Sequence, residues 1–188
     1  MLRDNSLIPI EAVRLCALGR LMQGELAYGE LAGEVRHFTS RMVGPSLDLL
    51  GTSIELLRLE GLLEAVVHDK ADGRGADDPA RLLRITDAGR EAFRDLMRAR
   101  VRMPGSDVGK LVLALKLRFL DLLTPEDRDE QIDLMADVYV QERARLVDLR
   151  QRSSDDKLSR GHLAEWLDLE IAQIDQRLAW FESFRANA

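Results

Sequence analysis

The chain has a single cysteine, Cys16, among its 188 residues. That excludes an internal disulfide framework and a cysteine-rich zinc site. Aromatic residues are only 5%. No long hydrophobic run occurs: the apolar stretch from Leu111 to Leu123 is broken by Lys116, Arg118 and Asp121, so no membrane span is expected. A positive excess is also missing. The formal net charge is −6, which argues against a protein that coats nucleic acid through bulk charge, whereas a specific reader with a local basic patch is compatible with it. No signal peptide or lipidation signal is legible, and the expectation is a cytoplasmic protein with a reduced thiol.

What is present is apolar periodicity. Hydrophobic residues make up 46%, enough to bury a core. After Pro9, Ile10, Val13, Ala17, Leu18 and Leu21 recur at helical spacing, and Gly24 stops that helix. A second short helix is expected with Leu26, Leu31 and Val35 on its apolar side, followed by a connection over Ser40 to Pro45. The third runs from about Ser46 to Glu60, with Leu50, Ile54 and Leu57 on one stripe, and Gly61 can end it in the left-handed conformation. Leu62 to His68 is short and β-branched enough for a strand. Residues 69–80, with Asp72-Gly73, Gly75 and Pro79, form a turn or loop, and Leu82 to Ile85 is the return strand. Thr86 caps a helix over Asp87 to about Val101. Three helices, a two-stranded hairpin and a further helix make the order of a winged helix-turn-helix.

Beyond the breaker Pro104-Gly105-Ser106-Asp107 the chain reads as long helices. Val108 to Leu123 is one apolar helix. Thr124-Pro125-Glu126-Asp127 starts the next, with a cap, a proline in the first turn and acids at the positive end of the helix dipole. In that helix Ile132, Met135, Tyr139, Glu142, Leu146 and Leu149 recur at near-heptad spacing. After a break at Ser153-Ser154-Asp155-Asp156, Leu163, Leu167, Ile171, Ile174, Leu178 and Phe181 do the same. Such stripes require a partner helix, on the same chain or across a dimer axis. Glu142 interrupts its stripe, and pairing with Arg143, with Arg145 or with a base of a partner chain, or rotation to solvent, all remain open. The expected fold is mainly α with a small β-hairpin: a winged helix-turn-helix domain over 1–103 and a C-terminal helical dimerisation domain over 107–188.

The segment Ser53 to Leu62, followed by Leu83-Arg-Ile-Thr-Asp-Ala-Gly-Arg-Glu91, resembles the PadR family of winged-helix transcriptional regulators. So do Gly24-Glu-Leu-Ala-Tyr-Gly-Glu-Leu31, Leu115 to Leu120 and Leu123-Thr-Pro-Glu-Asp127. The likeness runs from about Ile8 to Leu149; its Glu-Gly-Leu and Thr-Asp-Ala-Gly-Arg pieces are shared with MarR-like proteins, and their order is what favours PadR. It implies a dimeric repressor on double-stranded operator DNA that responds to a small, often phenolic, effector. The pattern departs on the recognition helix, where Gly51 stands at the family's usual tyrosine and Leu56 at a common base, and where Asp48 and Glu55 are acidic.

The expected DNA-contacting set is Arg36 and Arg41 at the end of helix two and in the following connection, Ser46, Thr52, Ser53 and Arg58 on helix three, and Lys70, Arg74 and Arg81 in or beside the wing. Wing arginines suit a minor groove, while flanking cations fix the backbone. Trp166, Trp180 and Phe184 are core or dimer packing, or the lining of a pocket for a small aromatic effector. Glu34-Val-Arg-His37 has the Glu-x-x-His spacing of a di-iron ligand but lacks the second copy that chemistry needs. Asp72-Gly73-Arg74-Gly75 lacks the Gly-Lys-Ser/Thr that opens a phosphate-binding helix. No metal, no cofactor and no enzymatic activity are expected. The alternative reading is a winged-helix module that has lost specific DNA binding and docks another protein through Leu56 and Leu59.

Overall fold

A computed structural model describes residues 9–43, 50–66, 81–101, 104–155 and 161–187, without the side chains of residues 50–53 and 153–155. The elements are α1 (Pro9–Met22), β1 (Leu26–Ala27), α2 (Tyr28–Val43), α3 (Leu50–Leu59), β2 (Leu63–Ala65), β3 (Leu82–Ile85), α4 (Asp87–Arg98), α5 (Asp107–Arg118), a 3-10 turn over Leu120–Leu122, α6 (Pro125–Asp155) and α7 (Leu163–Asn187). They form two compact units that meet at Thr124 and Pro125.

In the first unit α1 is the central post. Ala12, Val13, Leu15, Cys16, Ala17, Leu18 and Leu21 are all buried, and α2, α3, α4, α5 and β3 pack around it. A helix apolar on nearly every side must be enclosed in this way. Burial pushes the Cys16 thiol up to about 12, so it is an inert core group. Gly19 is where α5 closes down: a Cβ there would lie 2.4 Å from the Phe119 ring. That ring meets Phe93 of α4 edge-on, with centroids 6.1 Å apart.

The sheet has three strands, in the order β1-β3-β2, all pairs antiparallel. The expected hairpin is β2 with β3, in the register Leu63↔Ile85, Glu64↔Arg84 and Ala65↔Leu83. The third strand corrects the sequence reading. Leu26 belongs to β1, paired with Leu83, and not to the second helix, which begins at Tyr28 and continues to Val43 through most of the expected connection. Gly61 does end α3 with a left-handed φ of 73°. Thr86 caps α4, its hydroxyl accepting from the Gly89 amide at 3.1 Å while donating to the Gly61 carbonyl at 2.8 Å.

The boundary between units also falls later than the sequence suggests. The breaker at Pro104 to Asp107 is a turn inside the first unit. Ser106 caps α5, accepting from the Gly109 amide, and α5 buries Leu111, Val112, Leu113, Leu115 and Lys116 within that unit. Lys116 is 1% exposed, and its Nζ donates to the Met97 carbonyl in the last turn of α4. A cation is favoured at a helix C-terminus, but burial pulls this amine down to about 7. The apolar helix also stops early, at Arg118, before the 3-10 turn.

The second unit is an antiparallel pair, α6 against α7. As positions advance along α6 from Asp133 to Arg143 to Arg150, their partners retreat along α7 from Arg185 to Asp175 to Asp168, at 2.5, 2.5 and 2.8 Å. Ile132, Met135 and Tyr139 are buried together with Leu167, Ile174 and Phe181. Among the openings left for Glu142, the structure selects an ion pair with Arg145. No helix among the described residues is long and apolar enough to cross a membrane.

Candidate nucleic-acid interface

The surface of interest is built on α2 and α3, with the sheet beside them. In α2 the inward stripe is Leu31, Val35 and Thr39, the threonine hydroxyl donating back to the Val35 carbonyl at 2.8 Å. At 100° per residue the opposite face carries Arg36, His37, Ser40 and Arg41. The arginines and His37 are exposed, and no ion pair joins them to another described residue. Several other bases of this unit are held by acids: Arg14 by Glu60, Arg20 and Arg118 by Glu34, and Arg84 by Glu64 at 2.6 Å across the strands. That last hydrogen bond raises the Arg84 pKa further.

Arg81 sits at the other end of α2, because its carbonyl accepts from the Tyr28 amide at 3.2 Å. Tyr28 and Arg41 are separated by about 20 Å along the helix axis. The cations expected from sequence are therefore spread along one helix, Arg81 beside its start, Arg36 near its middle and Arg41 in its last turn, a span longer than the ~12 Å width of a B-DNA major groove.

On α3, Ile54 and Leu57 face the core, 1% and 0% exposed, while Leu56 and Leu59 are 42% and 79% exposed. Arg58 turns toward Glu55, Nε to Oε2 3.7 Å. The Tyr28 phenol, at the start of α2, is hydrogen-bonded to the same Glu55 side chain. Burial first, and the Glu55 carboxylate next, push that phenol above its ordinary pKa. Tyr28, Glu55 and Arg58 thus form a network between the two helices that sequence spacing did not reveal, since positions 28 and 55 are joined only by the fold.

The structure brings together Arg36 and Arg41 on one helix face, places Arg81 at that helix's start, and pairs Arg58 with an acid. The backbone of Thr52 and Ser53 lies in α3; their side chains, together with Ser46, Lys70, Arg74 and Asp48, lie outside the described residues. The three aromatics expected to line an effector pocket do not converge. Trp180 stacks on Phe184, centroids 4.9 Å apart and planes within 14°, and meets Phe181 edge-on. Trp166 is 14 residues earlier on the same straight helix, about 21 Å away. A single pocket within one hairpin cannot use all three. Among the described residues no group of three or more side chains suits a metal ion.

A helix pair with exposed cations on its first helix, backed by a three-stranded sheet, defines a winged-helix protein of the DNA-reading class. The family model described as "Putative AphA-like transcriptional regulator" matches residues 2–185, and the chain belongs to that family. It is a DNA-binding transcriptional regulator. Among solved structures, Bacillus subtilis PadR in complex with operator DNA is similar over 96% of this chain and 100% of that one, at 17% identity and a TM-score of 0.39. The same protein alone is similar over 96% and 97%, at 16% and 0.39. Its complex with p-coumaric acid is similar over 93% and 97%, at 16% and 0.38. PadR is the family that the sequence resembles. No curated protein matches.

Proposed function

We propose that the chain is a homodimeric repressor that binds an operator through its first unit and assembles through its second. The observation that carries the DNA half is the exposed face of α2, Arg36, His37 and Arg41, which no ion pair joins to another described residue, with Arg81 beside the helix's start. The arginines suit phosphates on either side of a groove, with α3 as the reading helix. Lys70 and Arg74 extend the same reading into the wing. Arg58 serves it less directly, since part of its charge is spent on Glu55.

The dimer half rests on what the α6/α7 pair leaves uncovered. Val140 and Leu149 on one helix and Trp166, Leu169 and Trp180 on the other are 45–54% exposed. Trp166, Leu169 and Trp180 share one side of α7, and a second copy covering it would set two reading heads at a fixed separation. A small aromatic effector would stack at Trp180 and Phe184, where ring faces are already parallel, with Trp166 assigned to the interface. Effector control then requires different affinities for two dimer states.

The test is selection of bound duplexes from fragmented genomic DNA, followed by titration of a selected fragment at several salt concentrations. Arg36→Ala and Arg41→Ala should each weaken binding and reduce the salt slope by about one. An unchanged slope in the double variant would sink this surface. Exposed Leu56 and Leu59 favour a second reading, a protein-docking helix. Binding through them would be nearly indifferent to salt.

A further inference from the structure

The outer face of α3 has an unusual chemistry for a DNA reader. The helix carries one base, Arg58. Arg58 lies on the flank, drawn to Glu55, so the two-pronged arginine contact to guanine that dominates base readout has no centrally placed donor. What faces outward among the described side chains is Glu55, Leu56 and Leu59. Leu59 is 79% exposed in a unit whose Leu15, Leu18, Leu31, Leu57, Leu111 and Leu115 are fully buried. Single exposed leucines are ordinary. Here two lie one turn apart, beside a carboxylate held from behind by a phenol and a guanidinium.

The geometry points to a pyrimidine-reading helix: we propose that Leu56 and Leu59 pack against thymine 5-methyl groups in the major groove and that Glu55 accepts from a cytosine N4 amino group. This rests on the operator-binding reading above. Only two base features of the major groove suit these side chains. The thymine methyl is its apolar feature, and the cytosine amino group is a donor that a carboxylate can accept from. A bare carboxylate near phosphates is repelled. Glu55 is not bare, because the Arg58 guanidinium lies 3.7 Å from its carboxylate and the Tyr28 phenol interacts with it from the start of α2. A carboxylate has about four lone-pair sites, so acceptor capacity remains on its outer side, where the side chain is 42% exposed. From Glu55 to Leu59 the helix rises about 6 Å, close to two base-pair steps of ~3.4 Å. The occupant is duplex DNA rather than a protein because the chain belongs to a family of transcriptional regulators and the neighbouring helix α2 carries the exposed Arg36 and Arg41, a charge complement to phosphate.

The experiment uses the full chain and a random-sequence duplex pool. Enriched sites should contain adjacent thymine and cytosine in each half-site. Remaking the best duplex with deoxyuridine for thymine removes only methyl groups, and should weaken wild-type binding about fourfold for each contacted methyl. Leu56→Ala and Leu59→Ala should bind the thymine duplex more weakly and lose that discrimination. Both side chains are exposed, so these variants should keep the wild-type circular dichroism and melting temperature. Glu55→Gln should relax the choice at the cytosine position while keeping the deoxyuridine effect. An enriched site whose affinity is indifferent to deoxyuridine, or equally sensitive in the leucine variants, overturns this inference and leaves operator binding intact. A pool with no enriched sequence overturns both, and moves the leucines to a protein-docking surface.

Discussion

The two units solve the problem of burying apolar surface in opposite ways. The first wraps four helices and a sheet around α1, so that whole side-chain sets reach zero exposure. The second has only two helices to offer each other. It buries one side of each stripe, ties the pair with Arg–Asp bridges, and leaves tryptophans and leucines half in water. Enclosure makes a unit sufficient to itself, whereas a two-helix layer remains one face short of a core.

The sharpest way to break the first unit is at Gly89. A Cβ there would sit 2.2 Å from the Leu62 carbonyl oxygen, which is backbone and cannot step aside. Gly89→Ala should cost about 3 kcal/mol, read as a fall in the denaturant midpoint. A wild-type midpoint would show that α4 and the end of α3 are not held this close. The second unit should respond to protein concentration instead. Leu169→Glu, on an exposed position, should leave helix content unchanged and weaken self-association tenfold or more in sedimentation equilibrium; an unaltered association constant would free that face of an interface role.

Smaller effects separate burial from surface charge. The Lys116 amine is lowered in the folded chain to about 7, below its unfolded value of ~10.4. Between those values the unfolded chain binds more protons, so this group's contribution makes stability rise with pH across that window. The slope is at most about 1.4 kcal/mol per pH unit. Lys116→Met should remove the rise, which comparing the two melting temperatures from pH 7 to 9 would show. Arg150→Ala, by contrast, breaks an exposed bridge to Asp168 and should leave the melting temperature of the second unit unchanged within error. A fall of several degrees would mean that the bridges, rather than packing, hold the hairpin.

Periodicity made the helices of the first unit legible, and the turn chemistry of Gly61 and Thr86 placed the end of α3 and the start of α4. The two-residue strand β1 was not legible, since Leu26 fits a helix stripe as well as a strand and only its pairing with Leu83 decides. Lys116 read as a charge interrupting an apolar helix, because burial of an amine against a helix end depends on a neighbour from α4. The reading surface was legible in part. Arg36 and Arg41 both fall inside α2, which sequence spacing ended sooner, and the approach of Tyr28 to Glu55 depends on folding. The aromatics of α7 were judged by residue type, and helical rise alone separates Trp166 from Trp180.

That small strand has a mechanical meaning. β1 is spliced edge-on to β3, and the next residue, Tyr28, begins α2 with its amide on the Arg81 carbonyl. A pull on the wing therefore loads the root of α2 directly, and through the Tyr28 phenol it loads α3. The sheet and the two helices thus form a braced frame rather than a set of hinged arms.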